Sequence, residues 1–172
     1  MLKYVGIVFC VVGSAGYGYV KVNGWKRSLR ELRIWIMLFQ KLKSCFLYQK
    51  ETLEEGCIRL GEREQVGQGM VLAGIGKRAR QERGKEFLMI WKEEVEIWCK
   101  KNPIPERMQS LLMKFPEYMQ EADEQLQINL FSVYMEELHR EEVLLEQQIR
   151  EQQKPVMAVS LAAGMMLSIL LV

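Results

Sequence analysis

The chain has 172 residues, 49% of them hydrophobic and 27% charged, with a formal net charge of +2. That balance excludes a globally basic nucleic-acid binder, so no nucleic acid is expected as a partner. With one histidine (His139) and four scattered cysteines (Cys10, Cys45, Cys57, Cys99) in no C-x-x-C pair, a zinc site and a disulfide-stapled scaffold are excluded as well.

In chain order, residues Tyr4 to Val20 are apolar or small without interruption, and Pro155 to Val172 carry no charge. As helices these stretches would each span roughly 26 Å, adequate for a ~30 Å hydrocarbon core. The expected organisation is a transmembrane helix over 1–21, a helical domain over 22–154 and a second transmembrane helix over 155–172. Lys3 with Gly13-Ser14-Ala15 also fits a cleaved signal peptide, an alternative left open. The basic flank Lys21, Lys26, Arg27, Arg30 and Arg33 favours retention, and Arg150 and Lys154 precede the second segment. By the positive-inside rule both segments place the middle of the chain in the cytoplasm, as a two-pass cell-membrane protein. The same basic flank is expected to meet lipid headgroups, with Trp25 at their level. Ser14 and Gly18 stand four apart, as do Ser160, Gly164 and Ser168, which gives a face narrow enough for close helix packing or merely ordinary glycine tolerance.

Between the ends the pattern is helical throughout. Ser28-Leu-Arg-Glu31 reads as a capping box, followed by Leu29, Leu32, Ile36, Phe39, Leu42 and Phe46 at three- and four-residue spacing. A second capping box, Thr52-Leu-Glu-Glu55, opens a short helix to about Arg63. Gly61, Gly67 and Gly69 read as punctuation of the next connection, and a helix weakened by glycines spans about Val66 to Gln81. Another carries Phe87, Ile90, Trp91, Val95 and Trp98 on one face. Asn102-Pro103-Ile-Pro105 is a break, and a short helix follows to about Met119, with Pro116 limiting one turn. The last helix begins near Glu121 with Leu126, Leu130, Val133, Tyr134, Leu138, Leu145 and Ile149 as its stripe, and Pro155 is expected to kink it. The fold class is all-α, an antiparallel bundle of about six helices between the terminal segments. Residues 21–50 hold eight basic residues and one acid, whereas 117–154 hold ten acids and three basic residues, so the first and last helices should attract each other.

Tests for chemistry fail. The Gly67-Gln-Gly69 and Gly74-Ile-Gly76-Lys77 cluster lacks the P-loop spacing, with Val71 at the glycine position and Arg78 after the lysine. His139 lies on a carboxylate-rich face, and the adjacent pairs Glu93-Glu94 and Glu141-Glu142 should not converge on a helix. No enzyme, metal or cofactor is expected. The most distinctive surface feature is the basic run Lys77, Arg78, Arg80, Arg83 and Lys85, which suits anionic headgroups or an acidic partner, or else is a solvated turn.

Four elements then recur in the order of a known family: Tyr48-Gln-Lys-Glu-Thr-Leu53-Glu-Glu55-Gly56, Trp91 in Ile-Trp-Lys-Glu, Asp123-x-x-x-Gln127, and Lys154 with Ala163-Gly164. By these the chain resembles the stage III sporulation protein AB family of endospore-forming bacteria, although Thr52 and Gly56 stand where proline and alanine are usual. The resemblance implies a cytoplasmic domain similar to that of secretion-system inner-membrane platform proteins. It also implies a place in a channel-like complex between mother cell and forespore. The implied partners are the membrane and the other stage III A proteins, among them a cytoplasmic secretion-type ATPase; a second copy of the chain is a further candidate. The alternative reading is a generic membrane-tethered helical adaptor unrelated to sporulation.

Overall fold

A computed structural model of the chain describes residues 2–49, 52–64, 67–82, 85–119 and 124–170. Six α-helices follow in order: α1 (Leu2–Gln49), α2 (Leu53–Arg63), α3 (Gly67–Gln81), α4 (Phe87–Lys101), α5 (Glu106–Lys114) and α6 (Glu124–Leu170). A 3-10 turn, Phe115–Met119, joins α5 to the approach of α6, and no strand occurs among the described residues. Two compact units result, one of Met1–Arg30 with Val143–Val172 and one of Glu31–Glu142.

Among the described residues no helix is long and apolar enough to cross a membrane. The transmembrane helices expected at 1–21 and 155–172 are therefore not supported as such. Much of both segments, including the side chains of 2–12 and 167–172, lies outside what is described. The capping box at Ser28 is also not one. α1 is already helical there, so the backbone donors that a cap would satisfy are taken, and the buried Ser28 hydroxyl donates back to the Gly24 carbonyl at 3.1 Å. Thr52 is a true N-cap, its hydroxyl accepting from the Glu55 amide at 3.3 Å. Pro155 lies inside α6, which continues to Leu170; without an N–H, the proline leaves the Glu151 carbonyl without its helical donor.

The core of the 31–142 unit is aromatic. Trp35 and Phe39 of α1, Trp91 of α4, Phe115 of the 3-10 turn and Tyr134 of α6 are all fully buried. Phe39 lies 4.6 Å from Phe115 and 5.3 Å, edge-on, from Tyr134, while Trp91 lies 4.7 Å from Phe115. The expected α1 stripe is right at Leu32, Ile36, Phe39 and Leu42, but Trp35 and Leu38 are buried beside it. On α6 the expected stripe is right at Tyr134, Leu138, Leu145 and Ile149, but Leu126 and Val133 are exposed, and Phe131 and Met135 are buried. α1 and α6 run in opposite directions in this unit, tied by Arg33 Nε to Glu142 at 2.7 Å and Lys43 Nζ to Ser132 Oγ at 2.7 Å.

Proline chemistry fixes where α5 ends. Pro116 has no N–H to give the Leu112 carbonyl four residues back, and the buried Trp91 indole donates to that oxygen at 2.8 Å instead. The Tyr134 hydroxyl donates to the neighbouring Leu111 carbonyl at 3.3 Å. Each such bond contributes about 1 kcal/mol net, but an unmet buried carbonyl would cost more.

The glycines read as punctuation lie inside helices. α2 and α3 pack backbone against backbone, and a Cβ at Gly61 would stand 2.5 Å from the Ala73 amide nitrogen and closer still to the Gly69 carbonyl. At Gly76 it would stand 2.6 Å from the Glu54 carbonyl. Gly74 faces open space, with only Glu94 at 4.0 Å. Gly74→Ala is therefore expected to stabilise the protein by about 0.5–1 kcal/mol through helix propensity. Gly61→Ala is expected to destabilise it by about 1–3 kcal/mol through overpacking against main chain that cannot yield. Urea unfolding of both variants checks the pair; equal and small effects would mean that α2 and α3 are not in backbone contact.

Candidate interaction surfaces

The basic run that ends α3 is well placed for the helix dipole, with Arg78 and Arg80 in the last turn. It is nevertheless not a bare cationic surface. Arg78 donates from Nε to Glu82 at 2.9 Å, from Nη1 to Glu94 at 2.8 Å and from Nη2 to Glu93 at 2.9 Å. Lys85 Nζ reaches Glu93 at 2.6 Å, Lys77 reaches Glu62 at 3.0 Å, and Arg80 lies 3.6 Å from Glu55. Arg83 lies outside the described residues. The four described cations thus meet Glu55, Glu62, Glu82, Glu93 and Glu94, and their positive charge is locally cancelled.

Glu93 and Glu94 were expected to diverge because they are adjacent on a helix, yet both reach Arg78. The guanidinium accounts for this, since its two terminal nitrogens present donors in a fork wide enough to bridge neighbouring positions. Glu141 and Glu142 do diverge, Glu142 to Arg33 and the buried Glu141 to Arg107 at 2.7 Å. The Arg107 contact is an ion pair without hydrogen-bond geometry, so Glu141 Oε2 has no hydrogen-bond donor among the described residues.

The cluster shifts its own titrations. Hydrogen bonds that Arg78 donates to Glu82, then to Glu94 and Glu93, raise its pKa further above the ordinary value. The hydrogen bond from Arg78 holds the Glu82 carboxyl below its ordinary range. For Glu93 the Lys85 hydrogen bond does most, and Arg78 adds to it.

The remaining sequence candidates separate cleanly. Lys21, Lys26, Arg27 and Arg30 are exposed on α1, and Lys21 Nζ sits 5.8 Å over the Trp25 ring. Arg33 is the member of that group drawn into the pair with Glu142. Ser160 is brought against Gly18, where a Cβ would come within 2.7 Å of its hydroxyl oxygen, and Ser160 itself donates to Val156 O at 2.8 Å. The surroundings of Gly164 and the side chains of Ser14 and Ser168 lie outside what is described. His139 rests near Glu142 (3.4 Å) and Gln40 (3.4 Å) on an exposed face. No group of three or more metal-ligating side chains gathers among the described residues. Burial pushes the Cys57 thiol up to about 12, aided by Cys45 and Glu54, and burial pushes Cys99 to about 11, so both stay protonated at neutral pH.

Sequence reasoning missed the carboxylate partners of the basic run. The four-residue spacing of Arg78 and Glu82 was a readable signal for one of them. Gln68 was likewise read only as part of a failed phosphate loop; it is buried at the start of α3 and donates to Glu31.

Among protein families, the model described as stage III sporulation protein AB matches residues 3–172, essentially the whole chain. No curated protein and no solved structure matches it.

The Arg78 cluster has a definite acid response. Carboxyls held below their ordinary value of 4.5 add stability above that pH and lose it as the pH falls through their lowered folded values. Arg78→Met is expected to lower the melting temperature at pH 7 and to leave less of the melting temperature to be lost between about pH 5 and pH 2. Thermal melts across that range check it, and parallel profiles for variant and parent would show that Arg78 does not hold these carboxylates.

Proposed function

Because the chain belongs to the stage III sporulation protein AB family, we propose that it is a non-enzymatic, membrane-anchored platform subunit of the secretion-like complex joining mother cell and forespore. The observation that carries the anchored part of this reading is the surface of the unit formed by Met1–Arg30 and Val143–Val172. Tyr19, Val20, Met157, Val159, Met165 and Met166 stand exposed there, Val20 and Val159 each at 68%. A protein surface seldom leaves so many large apolar groups in water without a use for them.

Cations bound that surface on both helices. Lys21, Lys26, Arg27 and Arg30 follow the apolar part of α1, and Arg150 and Lys154 precede that of α6. Gly18 facing Ser160 aligns the two helices so that both sets of cations fall at the same level. An apolar hairpin with a basic belt at one end fits a bilayer with the belt at the cytoplasmic headgroups, as the positive-inside rule requires. On this reading residues 31–142 face the cytoplasm, within reach of a cytoplasmic ATPase and the other stage III A proteins, which are the proposed partners.

Deletion of the gene in its own host tests the reading. Vegetative growth is expected to be normal and development to arrest after engulfment, and the protein is expected to stay with membranes through an alkaline wash. Normal spore numbers would remove the sporulation-platform reading and leave a helical adaptor; release into the wash would remove the anchor.

A further inference from the structure

We propose that the cavity between the N-terminal ends of α2 and α4 and the 3-10 turn docks a basic-and-apolar anchor from a partner protein: an arginine or lysine beside an aromatic or branched aliphatic side chain. The proposal rests on the platform reading and deepens it by naming where a partner engages.

The cavity has a volume of about 680 Å3, in the ~300–1,000 Å3 range of sites that hold a ligand or several side chains. Its apolar lining is Leu53, Phe87, Leu88, Pro116 and Met119. Pro116 and Met119 are buried, and the three others are half-buried, so the apolar surface is reachable from outside. The wall is also firmly held, since the Phe87 ring packs 6.0 Å from Trp91 in the aromatic core. An apolar surface that is accessible and rigid is what an anchoring side chain needs, because little is lost in ordering it.

Charge then selects the kind of anchor. Glu54 and Glu86 share the lining. Neither carboxylate has a hydrogen bond or ion pair among the described residues, and Glu86, although it occupies the N-cap of α4, makes no side-chain cap bond. Their neighbours behave differently, for Glu55, Glu82, Glu93 and Glu94 are all taken by Arg78, Arg80 or Lys85. Among the described residues the nearby cations are therefore spent on other acids, and Glu54 and Glu86 meet no counter-charge there beside the apolar wall. An incoming cation would find both carboxylates on the lining, Glu54 half-buried and Glu86 exposed, whereas an acidic segment would be repelled.

The test uses the full-length protein in phospholipid nanodiscs, with methionine methyl groups labelled and the Met119 resonance followed by NMR. Acetylated, amidated Arg-Phe-Arg-Leu is the probe, and Glu-Phe-Glu-Leu is its acidic counterpart. Saturable shifts of Met119 are expected with the basic peptide alone, with affinity lowered about tenfold in Glu54→Gln/Glu86→Gln. No shift, equal shifts from both peptides, or affinity unchanged in the variant would overturn the proposal.

A second arm is carried in the host. Glu54→Lys/Glu86→Lys is expected to lower spore counts by at least about tenfold while the protein accumulates normally and melts within about 3 °C of the parent. If it melts lower than that, the shape-preserving Gln pair replaces it, and a lowered count is again expected. Should the deletion strain itself sporulate normally, the platform reading fails. Should the deletion arrest development while both charge variants sporulate like the parent, the cavity proposal alone fails.

Discussion

The cytoplasm-proposed unit depends on one arrangement, the burial of Trp91 at the junction of α4, the 3-10 turn and the long helices. Its ring packs against Trp35, Phe39 and Phe115, and its indole N–H caps the carbonyl that Pro116 leaves without a donor. Those two roles are coupled. The proline forces the chain out of α-helix after Lys114, and the displaced turn delivers Phe115 into the aromatic cluster. An apolar residue in place of Trp91 would fill the space and leave the Leu112 oxygen buried without a partner. Trp35 shows the opposite case: its indole nitrogen is buried with no hydrogen-bond partner among the described residues, a cost of about 1–3 kcal/mol that its packing must outweigh.

Around that centre, α2 and α3 form a hairpin whose tightness explains the charge chemistry above it. Glycines at 61, 69 and 76 let the two backbones touch, so side chains at the margins of the contact are brought close together. The Lys77–Glu62 and Arg80–Glu55 pairs both bridge this hairpin. From the other side, α4 offers Glu93 and Glu94 to Arg78. The run of cations is thus an internal fastening of α3 to its neighbours. Individually such exposed pairs contribute little, but Arg78 joins three carboxylates through one guanidinium, the geometry in which a pair is most effective.

What could be read from the sequence follows from what each signal measures. Periodicity reports which face is buried, and it located α4 and most of the α1 stripe, because those helices bury one face against one core; α2 was legible instead from its Thr52 capping box. It misplaced part of the α6 stripe. Leu126 and Val133 share the helical spacing of buried residues but stay exposed, and no single helix can tell which of two apolar faces finds a partner. The glycines misled for a related reason: a glycine that weakens an isolated helix is indistinguishable in sequence from one that permits backbone contact. The Ser28 capping pattern failed because helix starts are set by what precedes them, and here the preceding residues were already helical. The basic run was found, but its cancellation was not, since the acids that cancel it come mostly from other helices.

The same cancellation sharpens where recognition can reside. A strongly charged stretch attracts attention in a sequence because formal charge is counted residue by residue, yet a partner senses only charge left over after local pairing. In residues 31–142 the cations of α3 are spent, whereas Glu54 and Glu86 meet no cation among the described residues. In the unit formed by the two chain ends the reverse holds, for Lys21, Lys26 and Arg30 stand exposed beside an apolar surface. The chain therefore carries unspent positive charge where an anionic bilayer surface would meet it and unspent negative charge at a cavity lined by apolar residues. The two surfaces select different kinds of partner. On the proposed reading, that separation would let the chain hold a membrane and a protein at once without either site competing for the other's ligand.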